Sequence, residues 1–306
     1  MYSKNNRYLI VVIGPTAIGK TALGIEIAKH YNSNIISCDS RQFYREMNIG
    51  TAVPSQEELS IIPHHFIQHI GIDTPYSVGD FERDALAKLE DLFQHNPIQV
   101  MVGGSGLFVN AIINGLDDFP DIDPNIREDL NKELEEKGLA SLQNKLKELD
   151  PVHYEKVAID NPQRVTRALE VCIGTGKPYS SFLNKKANNR NFTPIIIGLE
   201  ADRELMYQRI NKRVDIMIDN GLLKEAEALY PFRKNNALQT VGYRELFTYF
   251  DGDCNLDFAI EEIKKNTRRF AKRQMTWFKR TEGAKWFDFT TDPNNIIAEI
   301  DKIINQ

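Results

Sequence analysis

Apolar residues keep two different rhythms along this chain. Nearly unbroken runs at Leu9 to Ile13, Ile98 to Val102 and Pro194 to Leu199, with a shorter one at Asn34 to Ser37, are bounded by turn residues and read as strands covered on both faces. Between them the spacing turns helical, at Ala22 to Tyr31 and from Ser77 to about His95, where Ser77 and Asp80 give a helix-start signature. Strand and helix in alternation predict a parallel α/β sheet with helices on its faces.

From about Phe119 to Arg190 the strand rhythm disappears. Helix starts of the form Asp123-Pro124, Asp150-Pro151 and Asn161-Pro162 take over, since proline after an Asx cap suits the first helical position. We therefore expect an all-helical insertion at 119–190 within an α/β core formed by 1–118 and 191–306. In the helix opened by Pro162, the residues Val165, Ala168, Leu169 and Cys172 share one face, which leaves Gln163, Arg164 and Arg167 off it, to grip a phosphate backbone or simply to face water. Lys185, Lys186 and Arg190 are expected to close the insertion as a mobile basic link.

Two later helices break the simple pattern. In Asp202 to Asn220, Arg213 falls inside the apolar stripe of Met206, Ile210 and Met217, so its charge needs an anion, from the fold or from a ligand. In Leu256 to Arg280, one half of the wheel carries Ile260, Ile263, Thr267, Phe270, Gln274, Trp277 and Phe278, and the other carries the basic residues.

Charge sharpens that last observation. The 306 residues sum to −5, but Lys264 to Arg280 holds eight basic residues and no acid, so removing them leaves −13 for the remainder. An unrelieved basic face of this kind suits a nucleic acid, although cations late in a helix also suit its dipole. The three cysteines, Cys38, Cys172 and Cys254, form no paired motif, and no 18 apolar residues run together, so a cytoplasmic protein without membrane spans is expected.

The candidate chemistry gathers at the carboxyl ends of the strands, where parallel sheets bind ligands. Gly14, Pro15, Thr16, Ala17, Ile18, Gly19, Lys20 and Thr21 follow the first strand with the spacing of a phosphate-binding loop. Its backbone N–H groups can cradle a polyphosphate, Lys20 is a point charge, and Thr21 offers a hydroxyl to Mg²⁺. The loop does not distinguish a nucleoside triphosphate from an alkyl diphosphate. Asp39 ends the second strand as a general base or metal-side carboxylate, with a turn cap as the alternative. Gly103-Gly104-Ser105-Gly106 forms a second strand-to-helix turn, either another phosphate contact or a tight turn. His64, His65 and His69 lack a cysteine partner, and packing near the site explains them better than a metal does.

Together these stretches resemble the tRNA dimethylallyltransferases, also called tRNA isopentenyltransferases, over nearly the whole chain. The similarity rests on G-P-T-A-I-G-K-T (14–21), D-S-R-Q-F-Y (39–44), I-G-T-A (49–52), P-H-H (63–65), Y-S-V-G-D-F (76–81) and G-G-S-G-L-F (103–108). It continues through N-P-Q-R-V-T-R-A-L-E-V (161–171), V-G-Y-R-E (241–245) and A-K-R-Q-M-T-W-F (271–278). The resemblance implies transfer of a dimethylallyl group from its diphosphate to N6 of the adenosine just 3′ of the anticodon, in tRNAs reading codons that begin with U, with Mg²⁺ as cofactor. It implies Asp39 as base, Ser105 as the hydroxyl near the reacting groups and Arg213 as a diphosphate ligand. It also implies tRNA contacts at Ser40, Arg41, Gln42, Arg127, Gln163, Arg164, Val165, Thr166 and Arg167. To these the basic helix adds Arg268, Lys272 and Arg273. The chain departs from the family pattern at Ser105, usually Thr, at Arg41, usually apolar, and at Phe108, usually Tyr. A P-loop small-molecule kinase, using ATP and indifferent to RNA, is the main alternative.

Overall fold

The computed structural model describes residues 6–183 and 190–305. Contacts divide the chain into two units, Gly115–Asn189 and the remainder. In the larger unit the first half runs β1 (Tyr8–Ile13), α1 (Lys20–His30), β2 (Ile35–Ser37), α2 (Gln56–Ile61), β3 (His64–His65), α3 (Val78–Leu92), β4 (Ile98–Val102) and α4 (Gly106–Asn114). The helical unit supplies α5 (Pro124–Lys137), α6 (Leu139–Leu149), α7 (Pro151–Tyr154) and α8 (Pro162–Thr175). The chain then returns through β5 (Thr193–Glu200), α9 (Arg203–Asp219), α10 (Leu222–Leu229), α11 (Tyr243–Phe250), α12 (Leu256–Phe278), β6 (Lys285–Asp288) and α13 (Pro293–Ile304).

All strand pairings are parallel, in the order β3-β2-β4-β1-β5-β6. β1 is central, and its composition follows from that place. Leu9, Val11 and Ile13 enter one core while Ile10 and Val12 enter the core on the opposite face, so an unbroken apolar run is what both faces require. The P-loop at the end of β1 and the Asp39 turn after β2 thus leave the same edge of the sheet, joined through β4 between them.

The helical unit has its own core of Leu130, Leu142, Leu146, Val165, Ala168 and Leu169. The three Asx-Pro starts are real caps: Asp123, Asp150 and Asn161 accept from the backbone N–H of Asn125, His153 and Arg164. Val165 and Thr166, both expected to contact RNA, are buried in this unit, so their side chains face packing rather than solvent. Lys185 and Lys186 lie outside the described residues. Arg190 is no mobile link: its guanidinium donates to the carbonyls of Ile112 and Ala111 at the end of α4 and pairs with Glu82 at 2.5 Å. An arginine there satisfies carbonyls that a helix end otherwise leaves without partners.

Candidate active site

The P-loop wraps its own lysine. Lys20 Nζ donates to the Pro15 carbonyl at 2.8 Å, and Ala17, at φ 64°, turns the loop with its carbonyl accepting from Arg209 Nε at 2.9 Å. Burial lowers the Lys20 ammonium to about 8, Asp39 opposing that shift and Arg213 adding to it. Arg213 on α9 is the counterpart. It carries no hydrogen bond or ion pair from the described residues, and burial lowers its pKa while the charge of Asp39 holds it up. A half-buried guanidinium with no bonded carboxylate is what an anionic ligand would complete.

Asp39 opens the turn after β2, and its Oδ1 accepts from the Arg41 backbone N–H at 3.1 Å. Ser105 lies across from it: its Oγ accepts from the Ser40 N–H at 3.1 Å and lies 3.1 Å from Ser40 Oγ. The glycines beside Ser105 have a reason other than phosphate binding. A Cβ on Gly103 would sit 2.2 Å from the Cys38 carbonyl oxygen, and one on Gly104 would sit 2.5 Å from Gln274 Nε2. Close approach of the chain just after β2 and of the Gln274 side chain on α12 requires bare backbone here.

Two cavities meet at this point. One, of about 650 Å³, is lined by the P-loop from Thr16 to Thr21, by Val53 and Ile67, and by Arg209 and Lys212. The other, of about 600 Å³, is lined by Ser40, Ser105, Phe108, Arg244, Arg273 and Trp277. Thr16, Asp39, Arg213, Phe270 and Gln274 line both.

Several expected RNA contacts are engaged otherwise. Arg41 Nη1 donates to the carbonyls of Asn236 and Ala237 at 3.0 and 2.9 Å, closing the turn of a 3-10 helix instead of waiting for a phosphate. Gln42 donates to the Thr51 and Ala52 carbonyls and lines the P-loop cavity. In the helical unit Gln163 and Arg164 are exposed, and Arg127 and Arg167 are both anchored on the buried carboxylate of Glu170, at 2.5 and 3.0 Å.

The basic helix is less unrelieved than its sequence suggests. Lys264 pairs with Asp215 of α9 and with Glu261, Lys265 with Glu262, and Lys279 with Glu200 of β5. Arg268 donates to Asn211 at 2.6 Å, while Lys272 and Arg273 remain exposed. Nor is the apolar half all core, because Phe270 and Trp277, 39% and 43% exposed, form cavity wall. Sequence reasoning missed Arg209 and the central role of Gln274. The second had a signal, a lone amide among the apolar positions of α12.

Comparison with known proteins decides the family. A family model described as IPP transferase matches residues 42–281. The chain belongs to the IPP transferase family. Among its IPP transferase relatives is a tRNA dimethylallyltransferase of Flavobacterium johnsoniae, 63% identical over 300 residues, covering 96% of this chain and 97% of the relative. Another, from Christiangramia forsetii and of the same name, is 59% identical and covers 98% and 99%. The solved tRNA isopentenylpyrophosphate transferase of Bacillus halodurans superposes with a TM-score of 0.72 at 36% identity, over 98% of this chain and 96% of that one. A eukaryotic dimethylallyltransferase solved while acting on tRNA gives a TM-score of 0.85 at 27% identity, over 98% and 80%.

Proposed function

We propose that this protein transfers the dimethylallyl group of dimethylallyl diphosphate to N6 of adenosine 37, next to the anticodon, in tRNAs reading codons that begin with U. The observation that carries this reading is the meeting of the two cavities at Asp39 and Arg213. A kinase acting on a small molecule has no need of a second opening walled by Phe108, Phe270 and Trp277, whereas a nucleobase drawn out of an anticodon loop stacks on such faces.

The diphosphate would lie in the P-loop cavity, held by loop N–H groups, Lys20 and Arg213. The adenine would enter the other cavity past Ser40 and Ser105. N6 attacks C1 of the allyl group, the C1–O bond breaks, and diphosphate leaves with its charge met by Lys20 and Arg213. The proton lost from N6 passes to Asp39, help typically worth ~10²–10⁴-fold.

Mg²⁺ fits this site only in company with the substrate. Among the described residues no group of three or more His, Cys, Asp or Glu could hold a metal, so Thr21 would supply one oxygen and the diphosphate and water the others. Held there by Thr21, it would neutralise charge on the leaving group. Arg127 and Arg167, set side by side by Glu170, with Gln163, Arg164, Lys272 and Arg273, are the residues we assign to the tRNA backbone. No helix among the described residues is long and apolar enough to cross a membrane. With all three thiols free, we assign a protein acting in the cytoplasm, as a monomer.

The test uses labelled dimethylallyl diphosphate, Mg²⁺ and an anticodon stem-loop with adenines 3′ of the anticodon, for the wild type and Asp39→Ala. Label should reach RNA with the wild type and fall by at least 10²-fold with the variant. Unlabelled RNA, with ATP consumed on a small acceptor, would establish the kinase instead.

A further inference from the structure

Gln274 sits where the two cavities join, 7% exposed, with both ends of its carboxamide engaged. Oε1 accepts from the Thr16 backbone N–H at 2.9 Å, and Nε2 donates to the Gly104 carbonyl at 2.8 Å. An N–H can only donate and a carbonyl can only accept, so the two partners fix which way the amide faces. One side chain of α12 thereby joins the P-loop to the turn that carries Ser105. Gly104 leaves room for it, since a Cβ there would meet Nε2 at 2.5 Å. The Thr16 N–H is consequently taken by protein and stands outside the set of amides offered to phosphate.

We propose that Gln274 is a positioning residue that sets the distance between the donor and acceptor halves of the site. The diphosphate is carried by the P-loop, and the Asp39 and Ser105 turns bound the acceptor cavity. Reaction requires C1 and N6 to approach to roughly 3–3.5 Å, and a displacement of about 1 Å costs on the order of 10²-fold in rate. No other side chain serves both bonds: Glu cannot donate to Gly104, Lys cannot accept from Thr16, and Asn is one methylene too short.

This inference rests on the dimethylallyl-transfer reading, and its test separates the two. Gln274→Met keeps length and apolar packing but breaks both bonds. We expect kcat for RNA prenylation to fall by about 10²-fold with both KM values within about threefold. The dimethylallyl group should be diverted to water, giving dimethylallyl alcohol and diphosphate, in a larger share than with the wild type. Amide exchange at Thr16 should accelerate at least tenfold. Gln274→Glu restores the Thr16 acceptor alone, so amide protection should return while kcat does not; it also serves if the methionine variant fails to fold. Wild-type kcat and wild-type partition in either folded variant, or a loss confined to KM, would overturn the proposal. If the wild type itself transfers nothing to RNA, the functional reading fails, and unchanged Thr16 exchange in Gln274→Met would still refute the clamp by itself.

Discussion

Lys20 is the residue on which environment acts most directly. Its ammonium is buried beside Arg213, which lowers it to about 8, and in the free loop it donates to its own Pro15 carbonyl. A diphosphate brings negative charge to the same point and raises that pKa. Below pH 8 the free protein already carries the proton; above it, binding must take a proton up. Affinity for dimethylallyl diphosphate should therefore hold from pH 6 to about 8 and fall by up to tenfold per pH unit beyond. Calorimetry in buffers of different ionisation enthalpy should show proton uptake on that limb only. Ser105 shows the other side of residue-scale reading. The hydroxyl was legible from its place after β4, but its partner Ser40 was not, because that pairing joins residues 65 apart.

The element that the sequence described best and least is α12. Its amphipathic spacing foretold a long helix docked by one face, which it is. Its basic face is relieved from two directions: Glu261 and Glu262 reach forward one turn along the helix, and Asp215 and Glu200, remote in sequence, come from α9 and β5. Arg41 misled in the same way, since the 236–238 turn that absorbs it is remote in sequence. These placements separate two arginines by a salt experiment. Arg273→Ala should lower the slope of log K for anticodon stem-loop binding against log salt by about 1, as the loss of one phosphate contact requires. Arg41→Met should leave the slope unchanged and instead lower stability by about 1–3 kcal/mol, the scale of hydrogen bonds made by a charged group. Binding isotherms from 50 to 300 mM salt and thermal melts check both.

At the scale of the whole molecule, the chain is an α/β core interrupted once. The interruption leaves from α4 and the chain returns at Arg190, whose Nε donates to the Ile112 carbonyl at 2.8 Å, so the two ends of the core lie side by side. The helical unit closes on leucines of its own. Replacing 115–189 by a short Gly/Ser linker should leave a folded core that binds dimethylallyl diphosphate with near wild-type affinity. The KM for the stem-loop should rise by more than tenfold, because Arg127, Arg164 and Arg167 go with the excised unit. Equal KM values before and after excision would remove the insertion from the RNA-binding surface.

The sequence by itself determined the alternation of strands and helices, the P-loop, the Asx-Pro starts of the insertion and the family. Each of these is written in local spacing, in runs of apolar residues or in turn residues that only one backbone geometry accepts. The tertiary structure decided which polar groups are free. Among the described residues Arg213 is left unpaired, while Arg41, Lys264 and Arg190 are taken up by carbonyls and carboxylates distant in sequence. It also decided that Phe270 and Trp277 of α12 are cavity wall and that Gln274 joins two loops across 258 and 170 residues. Hydrogen bonds and ion pairs form between neighbours in space, and residues this far apart in sequence become neighbours only when the sheet has brought their loops to one edge.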